Sequence, residues 1–137
     1  MIYAFDEADA DLSLLPMASR RALDAAGWKL SLASYQTLSV ADRRELLRRG
    51  AEAEVDVAAV RSVVARATGA APVEQAVLVE PAELPEALPP ALGPERRMDA
   101  TRWQRLTGLD RYVLDKLCRA NKLPRLRAAY DEIIARR

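Results

Sequence analysis

The spacing of apolar and polar residues predicts helices along most of the chain, and residues 15–50 carry the clearest signals. One face of the first predicted helix holds small or apolar residues at helical spacing, namely Leu15, Ser19, Ala22, Leu23 and Ala26. Arg20, Arg21 and Asp24 fall on the opposite, outward face. Pro16 is expected in the first turn of this helix, and Gly27 ends it.

A second set of signals places further helices downstream. Ser39 and Asp42 match a capping box, in which the hydroxyl accepts a backbone N–H and the carboxylate reaches back, so a helix is predicted over 40–50. The other predicted helices cover 31–38, 56–67, 100–106, 109–119 and 124–136. Residues 85–92 also have helical spacing, although Pro89 and Pro90 could break a helix there. The extended character of residues 76–79 predicts a short edge strand.

The second half of the sequence resembles the first at an offset of 68 residues. The matching pairs are Tyr35 with Trp103, Gln36 with Gln104, Leu38 with Leu106, Ser39 with Thr107, Asp42 with Asp110, Arg43 with Arg111 and Leu46 with Leu114. We therefore predict an all-α fold, a single domain over 1–137 that contains two related helical repeats and about seven or eight helices. The halves cover about 13–69 and 84–136, joined by a proline-containing connector over 70–83. A chance match over so few positions is the alternative.

Composition limits the chemistry that this chain can perform. Among 137 residues there is no histidine and there is one cysteine, Cys118, so the usual zinc and haem sites cannot be built from this chain alone. Catalytic loop and nucleophile motifs are also lacking, and Cys118 stands one turn beyond Leu114, as expected of a structural thiol. The sequence predicts a protein that is not an enzyme and that needs no cofactor or metal.

Charge is distributed unevenly along the chain. Residues 1–94 hold 9 basic and 14 acidic side chains, whereas residues 95–137 hold 12 basic and 6 acidic ones. A basic C-terminal third suits an acidic protein surface or a polyanion, or it is simply a solvated helical face. No apolar run approaches the roughly 20 residues of a membrane span. The acidic start of the chain does not resemble a secretory signal, so we expect a cytoplasmic protein that does not enter the membrane.

Candidate partner-binding residues come from this basic third. We predict that Arg97, Arg102, Arg105 and Trp103 lie on or beside a surface that holds an acidic protein partner, because Arg and Trp are common hot-spot residues. The alternative for Trp103 is a core position. If the basic third is only a solvated face, the partner site is expected on the side of the first half that carries Arg20, Arg21 and Lys29.

A helix-turn-helix interpretation is the second functional hypothesis. Two predicted helices, 109–119 and 124–136, are joined by a short turn, and the second begins with Arg125 and Arg127. Asp115 and Asp131 lie on the same helices and would repel phosphates. Nucleic-acid binding is therefore the less favoured hypothesis.

Several of these motifs together resemble the family of nitrate reductase-associated proteins. The resemblance rests on Leu15-Pro16-Met17, Arg20, Leu23-Asp24, Gly27, Lys29-Leu30, Arg44-Glu45-Leu46-Leu47, Leu106-Thr107, Arg111-Tyr112 and Lys116-Leu117. It covers nearly the whole chain and implies an accessory protein without catalysis of its own, which assembles or matures a molybdenum-dependent assimilatory nitrate reductase or a related client. The family commonly has cysteines where this chain has Leu14, Ala26 and Ala51, which argues against a thiol-dependent role here.

Overall fold

The structure, a computed structural model, describes residues 2–73 and 80–136. These residues form eight α-helices and one two-stranded sheet, and 57% of the structure is helical. The predicted all-α class is therefore confirmed. Contacts within the chain define two compact units, residues 1–79 and 80–137, and the boundary falls inside the predicted connector 70–83. That the whole chain is a single domain stays a prediction.

The first unit contains four helices and two short strands among its described residues. A 3-10 turn over Ala4–Asp6 precedes α1 (Met17–Ala26), β1 (Trp28–Lys29), α2 (Leu32–Gln36), α3 (Val40–Gly50), α4 (Val57–Val64) and β2 (Ala71–Pro72). The strands pair antiparallel, with Trp28 opposite Pro72 and Lys29 opposite Ala71. This pairing was not predicted, and the strand predicted over 76–79 lies outside the described residues.

The second unit contains the other four helices. They are α5 (Leu88–Leu92), α6 (Ala100–Arg105), α7 (Gly108–Arg119) and α8 (Leu123–Ala135). In α5, Pro89 stands in the first turn, where its missing N–H has no intrahelical acceptor to lose. The prolines therefore start this helix and do not break it. Pro16 was expected inside the first turn of α1, but it lies one residue before the helix begins, as its N-cap.

The core of the first unit forms where α1 packs on α3 and α4. Its buried residues are Ala22, Leu23, Ala26, Leu30, Tyr35, Leu38, Leu46, Val60, Val63 and Val64. The backbones of α1 and α3 approach closely at Gly50, where an added Cβ would lie 1.6 Å from the carbonyl oxygen of Ala18. Only glycine fits at this point of α3.

The predicted N-caps of α3 and α7 are both present. The backbone N–H of Asp42 donates to Oγ of Ser39 at 3.1 Å, and that of Asp110 donates to Oγ1 of Thr107 at 3.1 Å. The reciprocal half of the box predicted at Ser39 is wrong, because the Asp42 carboxylate accepts from Arg66 at 2.7 Å instead. A guanidinium is a stronger partner for this carboxylate than a backbone N–H.

Buried residues occupy matching positions in the two units. At the offset of 68 residues, the matched pairs with their exposed fractions are Tyr35 and Trp103 at 0% and 0%, Leu38 and Leu106 at 3% and 5%, Leu46 and Leu114 at 0% and 0%, and Leu30 and Met98 at 8% and 7%. Helices α2 and α6 begin at matched residues, as do α3 and α7. The matched apolar positions of the sequence thus serve the core of each unit.

Hydrogen bonds recur at the same offset. Nη2 of Arg43 donates to the carbonyl of Gln36 at 2.8 Å, and Nη2 of Arg111 donates to the carbonyl of Gln104 at 2.9 Å. Each arginine thereby ties the first turn of a long helix to the end of the preceding short one.

The side chains of the same two glutamines repeat a longer contact. Nε2 of Gln36 donates to the carbonyl of Ser13 at 3.0 Å, and Nε2 of Gln104 donates to that of Ala82 at 2.9 Å. Ser13 and Ala82 are 69 residues apart, one more than the offset, because the match of Leu84-Pro85 with Leu15-Pro16 requires a one-residue gap. These shared contacts support the predicted duplication, which itself stays a prediction.

Replacing Gly50 with alanine should destabilise the protein strongly. The new Cβ would meet backbone atoms of Ala18, which cannot rotate away, so we expect a loss of roughly 3 kcal/mol of unfolding free energy, the upper end of overpacking. Chemical denaturation measures this. Gly27→Ala is the control, because its φ of 72° is strained but no atom lies within 4 Å of the new Cβ. An equal or greater loss in the control would contradict the proposed close approach.

Removing the two helix caps should have matched effects. Ser39→Ala and Thr107→Ala each delete the oxygen that accepts a first-turn N–H, at an expected cost of roughly 0.5–2 kcal/mol. Ser62→Ala is the control, since its hydroxyl donates to the carbonyl of Ala58 within α4, where alanine is well tolerated. If urea denaturation gives both cap variants the stability of the parent, these caps do not stabilise their helices.

Candidate functional site

Three of the arginines predicted from the sequence lie around one surface pocket. Arg102 and Arg105 are three residues apart on α6, so they share a helix face, and Arg97 precedes the N-cap of the same helix by two residues. The pocket has a volume of about 540 Å³. Its lining residues are Arg97, Asp99, Thr101, Arg102, Arg105 and Ile134, and we refer to it as the arginine pocket.

Arg102 is held in place by α8 and by the turn before α6. Its Nη1 donates to Oη of Tyr130 at 2.9 Å and to the carbonyl oxygen of Arg97 at 3.2 Å. The hydroxyl of Tyr130 in turn donates to the same carbonyl at 2.6 Å. This triangle positions the guanidinium at the pocket and satisfies the carbonyl of Arg97.

Electrostatics make the arginine pocket cationic. Asp99, the N-cap of α6, accepts the backbone N–H of Arg102 at 2.8 Å, and this bond holds the pKa of its carboxyl below the usual value. The nearby charges of Arg97, Arg102 and Arg105 lower that pKa further. Asp99 therefore stays ionised at neutral pH, and one carboxylate faces three guanidinium groups.

The two exposed arginines have weaker internal contacts than Arg102. Arg97, with 82% of its side chain exposed, approaches Asp99 at 3.5 Å between Nη2 and Oδ2. The Arg105 side chain is exposed and makes neither a hydrogen bond nor an ion pair with the described residues. Both guanidinium groups can therefore reach a ligand without first breaking a strong contact.

Trp103 does not belong to this surface. It is fully buried, and its carbonyl accepts Nε of Arg111 at 3.1 Å. Its predicted place on or beside the partner surface is thus wrong, and the core alternative applies. The reason is helical geometry, because successive residues of α6 point in different directions and Trp103 faces the interior while Arg102 and Arg105 do not.

The second predicted group, Arg20, Arg21 and Lys29, is split by the fold. Arg20 and Lys29 are exposed, but Arg21 is 1% exposed, so its predicted outward position is wrong. Nη1 of Arg21 donates to the carbonyl of Gly50 at 2.9 Å, and Nη2 donates to that of Ala53 at 3.0 Å. These acceptors lie at or just beyond the end of α3, where helix carbonyls lack partners. Arg21 therefore has a structural role, and its buried side chain is not accessible to a partner.

Some residues that line or support the arginine pocket were not predicted. Asp99 could have been found, since an aspartate three residues before Arg102 is a typical N-cap signal. Tyr130 and Ile134 belong to the apolar stripe of α8, and nothing in their spacing indicates that they reach a residue about 30 positions earlier in the chain. Their contribution depends on tertiary packing.

Other features of the described residues bear on chemistry. Burial raises the pKa of the Cys118 thiol, and the charge of Asp115 raises it further, which is the reverse of what an activated nucleophile requires. Within residues 2–73 and 80–136, no group of three or more His, Cys, Asp and Glu side chains could hold a metal ion. None of the helices in this described part is long and apolar enough to cross a bilayer.

The fold and this site together define a small, mostly helical protein with a cationic surface pocket. The chain belongs to the family of conserved nitrate reductase-associated proteins, whose model matches residues 2–129, and the resemblance found in the sequence is thereby confirmed. The family is named for its association with nitrate reductase and not as the reductase itself. No curated protein and no solved structure matches the chain.

Neighbouring arginines of α1 offer a direct test of the buried position of Arg21. Arg21→Met should lower the unfolding free energy by roughly 2–5 kcal/mol, because it leaves several buried or half-buried carbonyls without donors. Arg20→Met, on the exposed neighbour, should change it by less than about 0.5 kcal/mol. Thermal and chemical denaturation compare the two. Equal stabilities would show that Arg21 does not hold the end of α3.

Proposed function

We propose that this protein is a non-catalytic accessory protein that binds an acidic surface of a protein partner through the arginine pocket. Membership of the family supports a nitrate reductase as that partner, because the family is named for this association. The specific role that we propose is assembly or maturation of a molybdenum-dependent assimilatory nitrate reductase in the cytoplasm.

The observation that carries this proposal is the convergence of Arg97, Arg102 and Arg105 on one pocket. Guanidinium groups bind carboxylates through paired, charge-assisted hydrogen bonds, and arginine is among the residues that most often dominate binding energy at protein interfaces. One of the three is already fixed by Tyr130, while the other two remain exposed. A carboxylate-rich surface fits this arrangement.

The pocket is also suited to a large partner more than to a small substrate. It lies at the surface, and its walls are mainly charged and polar side chains, with Ile134 as the apolar exception. Small-molecule sites are usually lined mainly by apolar groups that enclose most of the ligand. A protein that covers the pocket would supply the missing enclosure itself.

The helix-turn-helix hypothesis has less support. Helices α7 and α8 are joined by a short turn as that hypothesis requires, but Arg119 pairs with Asp115 at 2.8 Å, and Nη2 of Arg127 donates to the carbonyl of Ala91 at 3.4 Å. Cations that are already paired with protein groups contribute less to phosphate binding. Lys122 and Arg125 are the exposed cations at the start of α8 that such a mode would use.

Charge reversal in the pocket should abolish partner binding without unfolding the protein. Arg97→Glu combined with Arg105→Glu is preferred to any change at Arg102, whose contacts with Tyr130 support the fold. We expect its affinity for purified nitrate reductase from the native host to fall roughly tenfold or more by calorimetry, because like charges would face each other. The melting temperature should stay near that of the parent.

A matched control makes this experiment specific. Lys122→Glu combined with Arg125→Glu changes the net charge equally, on exposed residues of the same unit that lie outside the pocket. This control should bind the reductase as the parent does. Equal losses in both double variants would show only a general charge effect, and unchanged binding in the pocket variant would refute the proposed site. Binding of a duplex DNA probe that only the control variant loses would favour the helix-turn-helix mode.

A further inference from the structure

The first unit contains a counterpart of the α6 surface that lines the arginine pocket. At the offset of 68 residues, Ser31 and Asp99 are the N-caps of α2 and α6. On the same basis Ser34 and Thr37 in the first unit correspond to Arg102 and Arg105 in the second, and Lys29 corresponds to Arg97. In each unit the matched residues include a helix N-cap and the residues three and six positions after it, and their side chains differ.

In the first unit residues 68 and 69, in the segment that follows α4, contact Ser34 and Thr37 of this surface. The backbone N–H of Thr68 donates to Oγ1 of Thr37 at 2.9 Å. Gly69, with a φ of 82°, lies so close to Ser34 that a Cβ would be 2.8 Å from its Oγ. The chain then continues into β2, which pairs with β1. A turn of the protein itself thus contacts Ser34 and Thr37, while Thr37 remains exposed.

In the second unit Tyr130 and Ile134 of α8 lie beside this surface, since Tyr130 accepts a hydrogen bond from Arg102 and Ile134 lines the pocket. The corresponding surface stays open as the arginine pocket, with Arg102 and Arg105 where the first unit has Ser34 and Thr37. Both small hydroxyl residues suit an uncharged backbone, and Thr37 accepts a backbone N–H. Guanidinium groups only donate, so they require acceptors, and carboxylates are the strongest acceptors that a polypeptide offers.

We propose that the arginine pocket takes an extended acidic segment of the partner, bound across Arg102 and Arg105 of α6. This rests on the proposed function in that the ligand belongs to a protein partner. The Cβ atoms at positions i and i+3 of a helix are about 5–6 Å apart, which long arginine side chains can extend, and alternate residues of an extended chain are about 6.6 Å apart. Two acidic residues separated by one residue would therefore meet Arg102 and Arg105 together.

Recognition in this pocket depends on side chains more than on added strand pairing. The carbonyl of Arg97 already accepts from Tyr130 and from Arg102, whereas its counterpart in the first unit belongs to a paired strand. A bound segment thus gains little from the backbone of the residues before α6. The spacing of its carboxylates becomes the main determinant of affinity.

Short capped peptides labelled with a fluorophore test this inference by fluorescence anisotropy. The first has Glu at its third and fifth positions, the second has Gln at both, and the third has the two Glu residues adjacent. We expect the alternating Glu peptide to bind roughly tenfold tighter than the Gln peptide, and tighter than the adjacent pair. Equal binding of all three, or no binding of any, would overturn the inference.

A matched pair of variants identifies the residue that binds the acidic segment. Arg105→Thr introduces the residue found at the matched position of the first unit, Thr37. This variant should lose most of the preference for the alternating Glu peptide. Arg125→Thr makes the same chemical change at an exposed residue outside the pocket and should keep that preference. A preference that survives Arg105→Thr would overturn the inference as well.

The outcomes separate this inference from the proposed function. In one outcome the three peptides bind equally, but the Arg97→Glu, Arg105→Glu variant still loses affinity for the reductase. The partner is then held by a folded acidic surface, and the inference of an extended segment is wrong. In the other outcome the alternating peptide binds as expected, but the same variant keeps full affinity for the reductase. The inference of an extended acidic segment is then supported, and nitrate reductase is not the partner bound at the pocket.

Discussion

The first unit depends on the contact between α1 and α3, where two backbones meet without a side chain between them. Gly50 permits the approach to Ala18, and the buried guanidinium of Arg21 then reaches carbonyls at and beyond the end of α3. A buried cation is costly unless it is well satisfied, but a planar group with several donors matches the partial negative charge at a helix C-terminus. The position of α3 therefore depends on Gly50 and Arg21. These residues are far apart in the sequence, so local sequence patterns do not reveal their contact.

Much of this fold could be predicted from the sequence because its signals are local. The caps at Ser39 and Thr107 and the apolar stripe of α8 depend on residues within a few turns of one another, and the structure contains these elements. The burial of Arg21 could not be predicted, since its position on a helical wheel is outward and only the end of α3 explains it. The β1–β2 pairing was also missed, because strands of two residues are too short for an alternating pattern.

The candidate site was predictable in part for the same reason. The excess of basic residues after position 95 and the spacing of Arg102 and Arg105 are visible in the sequence, and the structure places both at one pocket. Trp103 showed the limit of that reasoning, because composition indicated a hot spot while helix geometry placed the ring in the core. The contribution of Tyr130 required the packing of α8 against the turn before α6.

The triangle formed by Arg102, Tyr130 and the carbonyl of Arg97 has a consequence for the entropy of association. A free arginine loses much of its rotamer freedom when a ligand immobilises it, at about 0.5–1.5 kcal/mol for each such side chain. Arg102 has already lost that freedom on folding, since two acceptors hold its guanidinium. The pocket thus combines one preorganised cation, whose geometry favours slow dissociation, with two exposed cations whose charge accelerates encounter with an acidic ligand.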